Sequence, residues 1–260
     1  MIQVDKLCFA YGTRQILHDI SFCVQKGQLV SVLGMNGSGK STLLKNINGL
    51  LRPSQGLINI NTQDTGTMSR QQLARSIGYL PQTTTAIDCT VFEAVLIGRK
   101  PHLGWLVSET DLAETTRILE LTSLAAYANR STTQLSGGEL QRVAIARTLA
   151  QQPSVLLLDE PVNHLDIRSQ VDVMALIRRL TKQLGIVTIA VMHDLNMALR
   201  FSDGFLLMKE GNILAAGGQE VMTPKNIQDM YQLQVVLREI DGISLVVPCP
   251  ELEPSLINEI

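Results

Sequence analysis

The sequence predicts an α/β fold, and three features carry that prediction. Runs that are apolar at nearly every residue, at Leu29–Leu33 and at residues 155–158 and 186–192, mark strands buried on both faces, as in a parallel sheet covered by helices. A glycine-rich loop joins the first run directly to a helical pattern. Between the first and second runs, residues 91 to about 150 read as mainly helical, so a helical subdomain inserted into the α/β core is the economical arrangement. At 260 residues, 45% hydrophobic and 18% charged, the chain can bury a sizeable core and has a globular composition.

Element by element, the chain opens with antiparallel β structure. Ile16, His18, Ile20, Phe22 and Val24 share one face against Leu17, Asp19, Ser21 and Cys23 on the other, and Leu7, Phe9 and Tyr11 repeat the period of two. The turn Gln25-Lys26-Gly27-Gln28 leads into the first buried strand, and a helix is expected from Thr42 to Leu50. The helical stretch is broken at residues 100–104 and 130–133. Runs at 205–208 and 212–216 flank Lys209-Glu210-Gly211, a hairpin turn. The expected organisation is residues 1–83 and 155–247 as the core with its N-terminal antiparallel β-subdomain, 84–154 as the helical subdomain, and 248–260 as a peripheral tail.

Composition limits function. With 22 Lys+Arg against 24 Asp+Glu, the formal charge is −2, so the chain lacks the positive field that draws proteins to nucleic acid. Only 4% aromatic residues argues against a surface that stacks single strands, and no nucleic-acid partner is expected. The mean hydropathy is +0.15, yet the longest apolar run, Leu124-Ala125-Ala126-Tyr127-Ala128, is five residues. A spanning helix needs about 20. The start, Met1-Ile2-Gln3-Val4-Asp5-Lys6, has neither a basic nor an apolar leader segment, and the chain reads as cytosolic. Cys8, Cys23, Cys89 and Cys249 lie far apart among apolar neighbours, and each is expected to be a buried, reduced thiol.

Gly34-Met35-Asn36-Gly37-Ser38-Gly39-Lys40-Ser41 fits G-x-x-x-x-G-K-[ST], after a buried strand and before a helix. Such a loop turns backbone N–H groups toward one centre, and the positive end of the next helix points to the same place. Lys40 is placed to reach the β- and γ-phosphates of a nucleotide, the Ser41 hydroxyl to ligate Mg²⁺, and Thr42 lies beside them. The core is therefore expected to be a P-loop NTPase core with a mixed sheet, binding a nucleoside triphosphate and Mg²⁺.

Residues 155–158 end at Asp159-Glu160-Pro161, where ligands of an open α/β sheet collect. Neighbours on extended backbone point in opposite directions, so the carboxylates are expected to divide the work. Asp159 would hold the metal shell, and Glu160 would act on the attacking water as general base. Farther upstream, Leu135-Ser136-Gly137-Gly138-Glu139 opens a helical stretch, and Ser136, Gly137 and Gly138 form a second anion site of backbone N–H groups.

With two phosphate-reading loops in one chain, these residues resemble the nucleotide-binding subunits of ATP-binding cassette transporters, whose signature is L-S-G-G-[QE]. The resemblance covers essentially the first 230 residues. It implies a head-to-tail dimer with a second copy of the chain, each ATP lying between the P-loop of one and the signature of the other. It also implies that Tyr11, in Phe9-Ala10-Tyr11-Gly12, stacks on adenine. Gln82, in Leu80-Pro81-Gln82, would touch Mg²⁺ or water as a catalytic and metal-shell residue. Asp166, in Asn163-His164-Leu165-Asp166, would belong to the loop that signals across the dimer. His193 would contact the γ-phosphate. Alone, Tyr11 reads equally as a half-buried strand tyrosine, and His193 more readily as structural. Val162 departs from the family, which commonly has Thr or Ser there.

The chain carries one P-loop, and about 90 residues without sustained heptads separate it from the signature, which argues against tandem translation-type and coiled-coil repair cassettes. Thr90 to His102, with Gly98-Arg99 and Pro101, resembles importers of ferric siderophores, haem and vitamin B12 at their membrane-facing surface. The resemblance implies polytopic permease partners, an extracytoplasmic substrate-binding protein acting through them, and a peripheral place on the cytoplasmic side of the inner membrane. Molybdate is a further candidate substrate, and a soluble ATPase of iron–sulphur cluster assembly is the main alternative.

Overall fold

The computed structural model describes residues 1–249 apart from Thr84, Ile87 and Trp105. The tail expected from 248 therefore lies outside the described residues from 250 on.

Strands β1 (Ile2–Tyr11), β2 (Arg14–Val24) and β3 (Leu29–Leu33) lead into α1 (Lys40–Ile47), then β4 (Gln55–Ile60), β5 (Gln63–Asp64), α2 (Arg70–Ser76) and β6 (Ile77–Leu80). Next come three helices, α3 (Val91–Leu96), α4 (Glu109–Leu121) and α5 (Gly137–Leu149). The chain returns through β7 (Val155–Asp159), α6 (Ile167–Leu184), β8 (Val187–Val191), α7 (Leu195–Phe201), β9 (Gly204–Lys209) and β10 (Asn212–Gly217). It closes with α8 (Pro224–Tyr231), β11 (Val235–Ile240) and β12 (Ile243–Pro248).

The larger sheet has the order β10-β9-β3-β8-β7-β6, parallel throughout except for β10. Its central strands are buried on both faces: Val155 and Leu157 join the apolar layer around α1 and the small sheet, while Leu156 and Leu158 join the layer beneath the other helices. Thr188, the one polar residue in its strand, is fully buried and shares a 2.6 Å hydrogen bond with Thr181. The small sheet, β2-β1-β4-β5, is antiparallel.

The simple alternation expected over 16–24 does not hold. Phe9 pairs with Leu17 but Leu7 with Ile20, and Asp19 takes φ +50°. This bulge inserts a residue, so Leu17 and Ile20 are both buried while Ile16 is only half-buried. The cysteines depart from expectation too: all are free thiols, but Cys23 is exposed and Cys8, Cys89 and Cys249 are half-buried. Cys23 occupies an outward position of β2, between Phe22 and Val24. Helix α1 starts two residues earlier than expected because Lys40 and Ser41 already form its first turn, and Gly49 at φ +70° ends it. Arg99, expected at a membrane-facing surface, is 4% exposed. A side chain on Gly98 would collide with the Arg147 carbonyl, so the turn after α3 lies flush on α5 and carries Arg99 inward to Asp111 (3.0 Å), the Ala150 carbonyl (2.9 Å) and Gln152 (3.0 Å).

Candidate nucleotide site

Because β6, β7, β8 and β3 run parallel, their carboxyl ends open on one edge of the sheet. From that edge emerge Gln82 after β6, Asp159 and Glu160 at the end of β7, His193 after β8, and the loop 34–39 after β3. This is where an open parallel sheet collects a ligand.

The glycine-rich loop is built for close approach. Gly34, Gly37 and Gly39 all have positive φ, and a side chain on Gly34 would strike the Met208 carbonyl and Ser38 Oγ. Lys40 is 6% exposed and folds back to donate from Nζ to the Gly34 and Met35 carbonyls at 2.8 and 2.9 Å. Burial lowers its pKa, and the nearby Glu160 and Asp159 carboxylates oppose that shift. Ser38 Oγ is buried with no hydrogen-bond partner, an orphan polar atom that a phosphate oxygen would satisfy. Beside the loop lies an opening of about 300 Å³, lined by Tyr11, Arg14, Asn36, Lys40, Ser41 and Glu160 among others; Gly37, Gly39 and Thr42 also border it. Tyr11 is half exposed there and meets Phe9 edge-on, with ring centroids 4.8 Å apart.

Asp159 sits behind Ser41, whose hydroxyl donates to Oδ1 at 3.0 Å; the Tyr79 hydroxyl reaches Oδ2 at 3.4 Å. Burial raises the Asp159 pKa, and the adjacent Glu160 charge adds to the rise against the two hydroxyl bonds. Tyr79 is itself pushed up to about 12 by burial and by Asp159. Among the described residues no cluster of three or more His, Cys, Asp or Glu could hold a metal alone. A single carboxylate and a hydroxyl suit Mg²⁺, which is usually bound through one or two carboxylates plus substrate phosphates.

Glu160 is not on extended backbone, as its predicted division from Asp159 assumed; it takes φ +54°. Its carboxylate is gripped by Gln82 Nε2 and Asn163 Nδ2, each 2.8 Å from Oε2, and by His193 Nε2, 2.5 Å from Oε1. Gln82 thus meets Glu160 rather than Asp159. Ser136, Gly137, Gly138 and Asp166 do not border the opening beside Lys40. Ser136 caps α5, its Oγ accepting from Glu139 N at 3.3 Å, and Asp166 caps α6, accepting from Ser169 N at 3.0 Å. The side-chain bonds of Tyr79 and Asn163, and the place of Arg14 on the border of the opening, have no counterpart in the sequence analysis. Tyr79 had one available signal, an aromatic three residues before Gln82.

A family model described as ABC transporter matches residues 17–163. The chain belongs to the ABC transporter family. It is an ATP-binding cassette ATPase. Over 95% of its length it is 49% identical to an uncharacterized ABC transporter ATP-binding protein of Methanocaldococcus jannaschii, covering 98% of that protein. The iron(3+)-hydroxamate import ATP-binding protein of Bacillus subtilis is 37% identical over 89% of this chain and 88% of its own. Among solved structures, a metal-chelate type ABC transporter in an inward-facing conformation superposes with a TM-score of 0.83 at 28% identity, over 96% of this chain and 98% of that one. A dimeric bacterial cassette superposes with a TM-score of 0.71 at 30% identity, over 84% and 98%. No helix among the described residues of this cassette is long and apolar enough to cross a membrane.

Proposed function

We propose that the chain is the ATP-hydrolysing subunit of a membrane importer, for a ferric siderophore or a related metal chelate such as haem or cobalamin. The observation that carries this reading is the convergence of Lys40, Ser41, Asp159, Glu160, Gln82 and His193 on one sheet edge while Ser136, Gly137 and Gly138 stand apart from the opening. A site divided in this way is completed by a second copy, arranged head to tail so that its signature helix faces this P-loop; the dimeric cassette relative supports that arrangement. The hydroxamate-import relative and the metal-chelate transporter support the substrate class and a membrane-spanning permease partner. An extracytoplasmic binding protein would act through that permease. The chain would then sit peripherally on the cytoplasmic side of the membrane.

In this mechanism the loop 34–39 and the start of α1 hold the phosphates, Tyr11 stacks on the adenine, and Lys40 moves from its two carbonyls to the β- and γ-phosphates. Ser41 and Asp159 would hold Mg²⁺, with Gln82 joining its shell; the ion supplies charge neutralisation on the phosphates. Glu160 takes the proton of the attacking water, His193 contacts the γ-phosphate, and Asp166 belongs to the loop facing the second copy. Glu160→Gln should lower hydrolysis by about 10²-fold or more with ATP binding retained. In the cells that encode the chain, the same substitution should abolish energy-dependent uptake of ferric hydroxamate. Normal turnover in the variant would refute the base; normal uptake beside lost turnover would refute the transport role.

A further inference from the structure

Glu160 has three side-chain donors, and two of them have other work in the mechanism above: Gln82 with the metal shell and His193 with the γ-phosphate. Asn163 has no such second task. Its Oδ1 accepts from the His164 backbone N–H at 3.0 Å, which fixes the amide orientation and turns Nδ2 to Glu160 Oε2 at 2.8 Å. The backbone holds the same geometry, since Asn163 N–H donates to the Glu160 carbonyl at 3.2 Å. Glu160 at φ +54° and His164 at φ +63° bracket the turn, both non-glycine residues in the left-handed region. Asn163 itself is exposed, so its side chain is not packed in the core.

A carboxylate oxygen offers about two lone pairs. With Gln82 and Asn163 both on Oε2, that oxygen is filled, whereas Oε1 carries only His193. We propose that Asn163 is a positioning residue for hydrolysis, fixing Oε2 of Glu160 so that Oε1 is the oxygen presented to the attacking water once His193 turns to the nucleotide. This rests on the reading of Glu160 as base. In that step the water proton passes to Oε1, the water oxygen bonds to the γ-phosphorus, and the bond from that phosphorus to the β–γ bridging oxygen breaks to release ADP. With Oε2 untethered on the Asn163 side, the carboxylate rotates and the productive alignment is sampled less often.

The test is the ATPase of the full chain. Asn163→Ala should lower kcat about 5- to 10-fold with KM for ATP and Tm unchanged, and Asn163→Asp, which replaces the donor by a like charge beside Oε2, should lower it further. Under single-turnover conditions Asn163→Ala should add nothing to the loss already caused by Glu160→Gln, because both act through one carboxylate. A structural role for Asn163 would instead multiply the two losses, and that result overturns the proposal. So does a kcat in Asn163→Ala within twofold of the parent while Glu160→Gln is slow. Near-normal turnover in Glu160→Gln alone would remove the base reading itself, and this role with it.

Discussion

Asp159 is 3% exposed at the end of β7, and its hydrogen-bond donors are two neutral hydroxyls, Ser41 and Tyr79. Burial in that position favours the protonated form, so the native carboxyl keeps its proton to higher pH than the unfolded one. Between the ordinary aspartate value and the raised one, the native state binds more protons than the unfolded state, and stability falls as pH rises through that window. The cost is fully present at neutral pH if the raised value lies below it, and absent below the ordinary value. Asp159→Asn, which keeps an acceptor for Ser41 but cannot ionise, should therefore raise the Tm of the nucleotide-free protein at pH 7.5 but not at about pH 3, below the ordinary aspartate value. Thermal scans at the two pH values check this, and an equal gain at both would refute it. The importance of Asp159 and Glu160 was legible because an apolar run ends on two acids. Two further partners, Tyr79 and Asn163, were not: Tyr79 reaches Asp159 only because β6 pairs with β7, and a left-handed φ at Glu160 has no signature in residue type.

Helix starts in this chain are written in the sequence, and helix burial is not. Ser69, Thr90, Ser108 and Ser136 each open a helix with a reciprocal capping box to Gln72, Glu93, Asp111 and Glu139. The third of these boxes doubles as the anchor of a buried ion pair: Asp111 spends Oδ2 on Ser108 and gives Oδ1 to Arg99 at 3.0 Å. Read as a sequence, Gly98-Arg99 looked like a surface feature through its resemblance to importers at their membrane-facing surface. The deciding fact is three-dimensional, the contact of Gly98 with the last turns of α5, which turns the next side chain inward among Asp111, Ala150 and Gln152. Arg99→Ala should cost about 3–5 kcal/mol in urea unfolding, because it leaves a buried carboxylate without its counter-charge. Arg99→Ala/Asp111→Asn should recover part of that loss. A cost in the single variant below about 1 kcal/mol would mean that water replaces the guanidinium.

At the scale of the whole molecule, the parallel sheet explains why loops distant in sequence meet at one edge: β8 pairs with β3, which brings His193 beside the loop 34–39. The closing hairpin was missed, although Asp241-Gly242 between two apolar stretches is a strong two-residue turn signal; both residues take positive φ, and β12 is tied to α7 through Asn196 and Val246. The same scale bears on where the permease proposed above would dock. With Arg99 withdrawn into the interior, the large apolar side chain that the 91–102 stretch leaves exposed is Ile97, 48% exposed, on the wall of a groove of about 520 Å³. One wall is the core side, with Arg70, Ala74 and Tyr79; the other is the helical side, with Ile97, Pro101 and Arg147. A short helix seated there would touch both, and Tyr79 links it to Asp159 within one residue. Displacement between the two walls on ATP binding would thus be felt by the occupant, which is the coupling an importer needs. Apolar anchoring in a groove is disrupted by a buried charge. Ile97→Glu should therefore reduce recovery of the permease with the chain at least ~10-fold while ATP hydrolysis by the isolated chain stays within twofold, measured by co-purification from detergent-solubilised membranes. Intact assembly of Ile97→Glu with the permease would move the docking surface elsewhere on the cassette, and a parallel loss of hydrolysis would place Ile97 in the folding of the helical side instead.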